Sequence, residues 1–175
     1  MKVRLQKEKA FYAVERMKAK GKTMEIKQIE NPEEKRQAAR SILEALQDWF
    51  GVEESRERYI RESAGQLFLA AWDDGQPVGF LCLKETGRAT AEVAVMGVKQ
   101  AYHRQGIGRM LMNGAKTLAR QQGYHFLQVK TVQMGKYPDY DDTNRFYLSQ
   151  GFEEFEVFPL LWDEQNPCQV YVTAL

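Results

Sequence analysis

The sequence is poor in the residues that tie a chain together covalently or through metals. Its two cysteines, Cys82 and Cys168, are too few for a disulfide framework and have no metal-ligand spacing. Both are expected as buried free thiols, which fits a reducing, cytoplasmic setting. No stretch approaches the ~18 consecutive apolar residues of a membrane helix, so no membrane partner is expected. The first residues are basic with no apolar stretch behind them, so no secretory signal is expected. Internal repeats, low-complexity tracts and Pro/Gly-rich linkers are also missing. The 175 residues, 43% hydrophobic and 28% charged, suit one globular domain with a single core.

The net charge of +1 is unevenly spread. Residues 1–23 hold eight Lys or Arg against two Glu, a surplus of six, which leaves the remainder at −5. The leader is expected as a solvated amphipathic helix, or as sequence upstream of a natural start at Met24. The acidic body offers no electrostatic footprint for nucleic acid.

Met24 to Ile29 alternates apolar and polar residues as a half-buried strand does. Asn31-Pro32-Glu33-Glu34 is a helix start, with a capping side chain, a proline at the first position and acids near the positive end of the dipole. Ala38, Ala39, Ile42, Leu43 and Leu46 form one face of that helix, which is expected to end at Trp49-Phe50-Gly51. A more polar helix is expected from about Glu54 to Ser63. Leu67–Trp72 and Val78–Leu83 flank an Asp-Gly pair, as strands of a tight hairpin do. Ala91–Val98 is a mostly apolar, central strand, a helix is expected over Gly108–Gln122, and Phe126–Val132 is another strand. A short helix before Gly151 and strands near Phe152–Val157 and Gln169–Thr173 complete a β-αα-βββ-α-β-α-ββ order.

The most informative stretch is Val98 to Leu111, VKQAYHRQGIGRML. A strand ends, a loop carries two glycines, and a helix begins at once. The first turn of a helix has backbone N–H groups without partners and a dipole that favours negative charge. Gly106 and Gly108 let a phosphate approach the backbone, and Arg104 and Arg109 add charge. Two phosphate-binding signatures are excluded by spacing. The dinucleotide fingerprint needs a third glycine where Leu111 stands, and a P-loop needs Gly-Lys-Ser/Thr. A tight strand-to-helix connection needing only small residues is the other reading of this loop.

The segment VMGVKQAYHRQGIGRMLM resembles the acetyl-CoA-binding segment of GNAT acetyltransferases, with their R/Q-x-x-G-x-G/A pattern between strand and helix. A second block, TNRFYLSQGF from Thr143 to Phe152, looks like the family's short helix carrying FY and leading into GF. The Tyr140, Thr143, Asn144, Phe146-Tyr147 and Asn166-Pro167-Cys168 positions are closest to a bacterial subset of the family. His103 stands where the family usually has Arg or Gln, and Tyr140 where many members have an Asn on the pantetheine arm.

The resemblance covers nearly everything from Met24 onward. It implies an α/β fold: a mixed, mostly antiparallel sheet of about six to seven strands, flanked by helices and splayed between the fourth and fifth strands. Residues 24–175 would be one acetyltransferase domain. Acetyl-CoA would be the cosubstrate, without a metal. The acetyl group would pass to a primary amine of a small molecule or protein by direct attack in a ternary complex. The alternative is a non-catalytic acyl-CoA-binding module, which should lack counterparts of the catalytic residues.

By the resemblance, Met96, Gly97 and Val98 would border the pantetheine. His103, Arg104, Gln105, Gly106, Ile107, Gly108 and Arg109 would hold the pyrophosphate, and Tyr140, Thr143 and Asn144 would contact the donor. Tyr147, in the FY motif, would protonate the leaving thiolate; a packing role is the other reading. Glu92 is the one acid in its apolar strand, and strict alternation puts it on one face with Ala94, Met96 and Val98. It is the candidate base, with a Lys- or Arg-paired carboxylate as the other reading and a water chain as the other base. Trp49, Phe50 and Lys130 are the candidate acceptor residues, with a core role as the other reading of the two aromatics and pairing with a carboxylate as the stronger reading of Lys130. The acceptor itself and the choice of monomer or homodimer are not readable from the pattern.

Overall fold

The computed structural model describes residues 15–19 and 22–175. Within it Glu15–Ala19 (β1) pairs antiparallel with Lys22–Ile29 (β2). Part of the leader expected as a helix is therefore an edge strand, and 1–14, 20 and 21 lie outside the described residues. After β2 the chain turns into Pro32–Leu43 (α1). Its cap is the one the sequence announces: Asn31 Oδ1 accepts from the N–H groups of Glu33 at 2.9 Å and Glu34 at 3.1 Å. Such a cap is worth about 1 kcal/mol.

α1 stops at Leu43, earlier than expected. Gln47–Phe50 (α2) is a separate single turn, and Trp49 and Phe50 lie on it. Glu53–Ser63 (α3) follows and packs on α1. Leu67–Asp73 (β3) and Gln76–Gly87 (β4) form the Asp-Gly hairpin, where Asp74 (φ 48) and Gly75 (φ 73) both adopt the left-handed conformation of a tight two-residue turn. Thr90–Val98 (β5), Ile107–Gln121 (α4), Phe126–Val132 (β6) and Pro138–Ser149 (α5) come next. Glu153–Asp163 (β7) and Asn166–Ala174 (β8) close the chain as a hairpin longer than expected.

The eight strands lie in the order β1-β2-β3-β4-β5-β6-β8-β7. Six or seven were implied by the resemblance, and β1 adds one at the edge. Neighbours are antiparallel except β5 and β6, which run parallel. Two apolar layers cover the sheet. On one face Ile107, Leu111, Ala115 and Leu118 of α4 pack on Leu81, Leu83, Val93 and Leu127. On the other Ala38, Ala39, Ile42 and Leu43 of α1 pack on Phe68, Phe80, Cys82 and Val95. Cys82 and Cys168 are both free and buried.

Candidate active site

Two irregularities of β5 create the site. The first is its parallel ladder with β6, which runs from Thr90–Phe126 to Val93–Val129 and stops. Past Val93 that side of β5 has no strand beside it among the described residues, although Val98 O there is met by the His103 ring. The second is a bulge: Leu83 pairs with Val93 and Cys82 with Val95, leaving Ala94 with no partner on β4. The extra residue reverses the inside–outside alternation. Val93, Met96 and Val98 face the α4 layer, while Val95 and Gly97 face α1. Glu92 therefore does not share a face with Met96 and Val98, as strict alternation had placed it. It lies on the α1 side.

Gly97 is bare for packing: a Cβ there would sit 2.8 Å from Leu46 Cδ1 and 3.2 Å from Ile42 Cγ2. Gly108 has a similar reason, since its Cβ would meet the Phe146 ring at 3.2 to 3.3 Å. Gly106 differs. Its φ of 84° is conformationally demanding, and it starts α4 without any side-chain cap. Arg104 also has positive φ, 60°, a strained state for a residue with a Cβ that clusters at functional loops. The N–H groups of Ile107, Gly108 and Arg109 open a 15-residue helix and have no intrahelical acceptor. The loop is braced from below: Gln105 Nε2 donates to Ala101 O at 2.9 Å, and a His103 ring nitrogen lies 2.7 Å from Val98 O. His103 also meets Trp49 edge-on at 5.9 Å, so its ring is committed to β5 and α2.

Glu92 is 4% exposed and fully engaged. Its Oε2 accepts from Lys130 Nζ at 2.6 Å and Gln128 Nε2 at 2.7 Å, and Lys84 Nζ lies 3.2 Å from Oε1. Burial raises its pKa, but the hydrogen bonds from Lys130 and Gln128 and the charges of Lys130 and Lys84 outweigh burial, leaving the carboxyl below its ordinary value. The polar positions of FLQVKTV at alternate places in an apolar strand were the sequence signal for Gln128 and Lys130. Lys84 carried none, because its pairing depends on the β4–β5 register.

On α5, Tyr147 is buried among Phe146, Phe152 and Tyr171, with ring centroids 5.5, 5.9 and 6.3 Å away. Its hydroxyl has no hydrogen-bond partner among the described residues. Burial, with a smaller effect of Tyr140, pushes its pKa well above the ordinary value, so the phenol stays protonated. Tyr140, two helical turns earlier, is raised by burial and by Tyr59 and Tyr137. Tyr59 of α3, which the sequence reading missed, thus lies near α5, and it touches Phe50 edge-on at 6.0 Å. Thr143 Oγ1 donates to Asp139 O within α5 at 3.1 Å.

Asn144 is not a ligand-facing residue. It is fully buried, donates through Nδ2 to Val132 O at 2.9 Å and Tyr140 O at 2.6 Å, and accepts from the Tyr171 hydroxyl at 2.6 Å. That network fixes α5 to β6 and β8. Among the described residues, no group of three or more His, Cys, Asp or Glu could hold a metal, and no helix is long and apolar enough to cross a membrane.

A glycine-led helix without a side-chain cap thus follows a strand that is free on one side, and α5 carries a buried tyrosine whose hydroxyl has no hydrogen-bond partner among the described residues. The acetyltransferase (GNAT) family model matches residues 23–152, and the chain belongs to that family. Solved structures agree on the fold. An acetyltransferase from Streptococcus agalactiae is 19% identical, with 87% of this chain and 98% of that one covered at a TM-score of 0.68. Aminoglycoside 6'-acetyltransferase type Ii is 19% identical, with 85% and 96% covered at 0.70. An aminoglycoside 6'-N-acetyltransferase complexed with coenzyme A is 19% identical, with 85% and 96% covered at 0.67.

Proposed function

We propose that this acetyltransferase moves the acetyl group of acetyl-CoA to a primary amine by direct attack within a ternary complex. The observation that carries the reading is the uncapped N-terminus of α4, entered through Gly106 at φ 84°, directly after the free half of β5. The backbone N–H groups of Ile107, Gly108 and Arg109 bind the pyrophosphate, with Arg104 and Arg109 adding charge. The pantetheine arm takes the main-chain groups along Met96–Val98 that neither β6 nor the His103 ring occupies, a form of strand addition. That lays the thioester where β5 and β6 part.

The amine nitrogen attacks the thioester carbonyl carbon, the carbon–sulfur bond breaks, and the Tyr147 hydroxyl passes its proton to the departing sulfur while the proton given up by the amine returns to Tyr147 through water. Burial keeps the phenol protonated at neutral pH, so the transfer accompanies bond breaking and leaves no free phenolate. Glu92 is a poor proton acceptor, because three donors already hold its charge. The amine's proton leaves through water, and Glu92 positions Lys130. Trp49 and Phe50 on α2, with Tyr59 and Tyr140, wall the acceptor side.

Steady-state thiol release tests this reading. Release should require both acetyl-CoA and an amine, and double-reciprocal plots should intersect. Parallel plots would mean a covalent acetyl-enzyme. A protein that binds acetyl-CoA but releases no thiol with any amine is the binding module instead.

A further inference from the structure

Lys84 and Lys130 share one carboxylate. Glu92 is the ion-pair partner of both, at 3.2 and 2.6 Å, and neither lysine has another among the described residues. The Glu92 side chain is 6% exposed, whereas Lys84 and Lys130 keep 42% and 30%. The uncompensated positive charge therefore sits on the accessible side of the cluster. Neutralising a buried carboxylate takes one cation and a few hydrogen bonds, and Gln128 already supplies one of these. The second lysine exceeds that need.

Position gives the surplus charge a use. Val129 is the last β6 residue paired with β5, and Lys130 follows it at the point where the strands part. An ammonium has three donors, of which Glu92 takes one. Glu92, the acid that Lys84 and Lys130 share, is thus already paired twice.

We propose, resting on the acetyl-transfer reading above, that the acceptor is an amine that carries a carboxylate, and that Lys130, supported by Lys84, takes that carboxylate. Glu92 is then a positioning residue that aims Lys130 into the gap. The same positive field lowers the pKa of the bound acceptor ammonium, so the nucleophile forms without a strong protein base.

The test is acetyl-CoA-dependent thiol release with glycine, L-phenylalanine, L-lysine and 4-aminobutyrate, each against its carboxamide, and with spermidine and an aminoglycoside. At least one amino acid should exceed its carboxamide by about tenfold or more in kcat/KM, the usual worth of a charged hydrogen bond. The two polycations should react more slowly than that acid. Lys130→Met should bring the acid-to-amide ratio close to one through KM, and Lys130→Arg should keep it. If Lys130→Met gives no cooperative melting transition, Lys84→Met reports the same ratio in the more exposed lysine. A carboxamide or spermidine that matches the best acid would overturn the proposal. An equal fall for every acceptor in Lys130→Met would also overturn it, since the lysine would then serve the transfer step. If acetyl-CoA raises the melting temperature but no amine of any charge releases thiol, the acetyl-transfer reading itself has failed.

Discussion

Glu92 and Met96 project to opposite faces of the sheet although they lie four positions apart on one strand. The unpaired Ala94 between them is the cause. It puts a salt-bridged carboxylate on the α1 side of β5 and an apolar wall on the α4 side.

The Glu92 cluster should make stability sensitive to acid. Its pKa is depressed from 4.5, so its contribution is complete above that value and is lost as pH falls through the lower folded value. Melting temperatures measured from pH 7 down to 3 should fall below pH 4.5. Glu92→Gln should start lower at pH 7, with two lysines left unpaired, and should then fall less steeply. Parallel curves would mean that the carboxylate gains nothing from its partners.

Gly97→Ala should destabilise the protein by about 1–3 kcal/mol in urea unfolding, as overpacking does. The added methyl would press on Leu46 and Ile42 of the α1 layer. A variant as stable as the parent would show that α1 can move away from β5 freely.

Asn144→Ala should cost about 2 kcal/mol, since it takes the side-chain donor from the Val132 carbonyl and the acceptor from the buried Tyr171 hydroxyl and removes a second bond to Tyr140 O. Acetyl-CoA affinity per folded molecule should change little. Calorimetric titration that found a large, selective loss of affinity would return Asn144 to the donor site.

Tyr147→Phe should leave the melting temperature almost unchanged, because the hydroxyl makes no hydrogen bond among the described residues. Turnover should drop about 10²-fold, the usual scale of general acid catalysis, with acetyl-CoA affinity retained. Full turnover with the chemical step rate-limiting would reduce Tyr147 to a packing residue.

Legibility followed the range of the interactions. The Asn31 cap, the Asp74-Gly75 turn and the Gly106 entry to α4 obey rules confined to a few neighbouring residues, and the sequence carries them. The bulge at Ala94 is a property of two strands: no glycine or proline marks it, and its position depends on how Cys82 and Leu83 register against β5. Asn144 looked like a ligand contact because it is polar and sits in a motif, yet its partners lie on β6 and β8. The Lys84–Glu92 pair depends on the same cross-strand register. Gly108 was legible as a close approach, but not whether a ligand or a side chain made it, and the Phe146 ring lies against where its Cβ would be. Gly97, assigned to the pantetheine border by resemblance, is bare beneath the side chains of Leu46 and Ile42.

The most direct test of the central claim compares melting temperatures with acetyl-CoA and with S-acetylpantetheine, which lacks the pyrophosphate. If the open N–H groups after Gly106 hold that pyrophosphate, acetyl-CoA at 100 times its dissociation constant should stabilise the fold by about 2.7 kcal/mol. S-acetylpantetheine at the same concentration should stabilise it far less. Equal shifts would mean that the α4 N-terminus contributes no binding, and no shift with acetyl-CoA on folded protein would contradict the account as a whole.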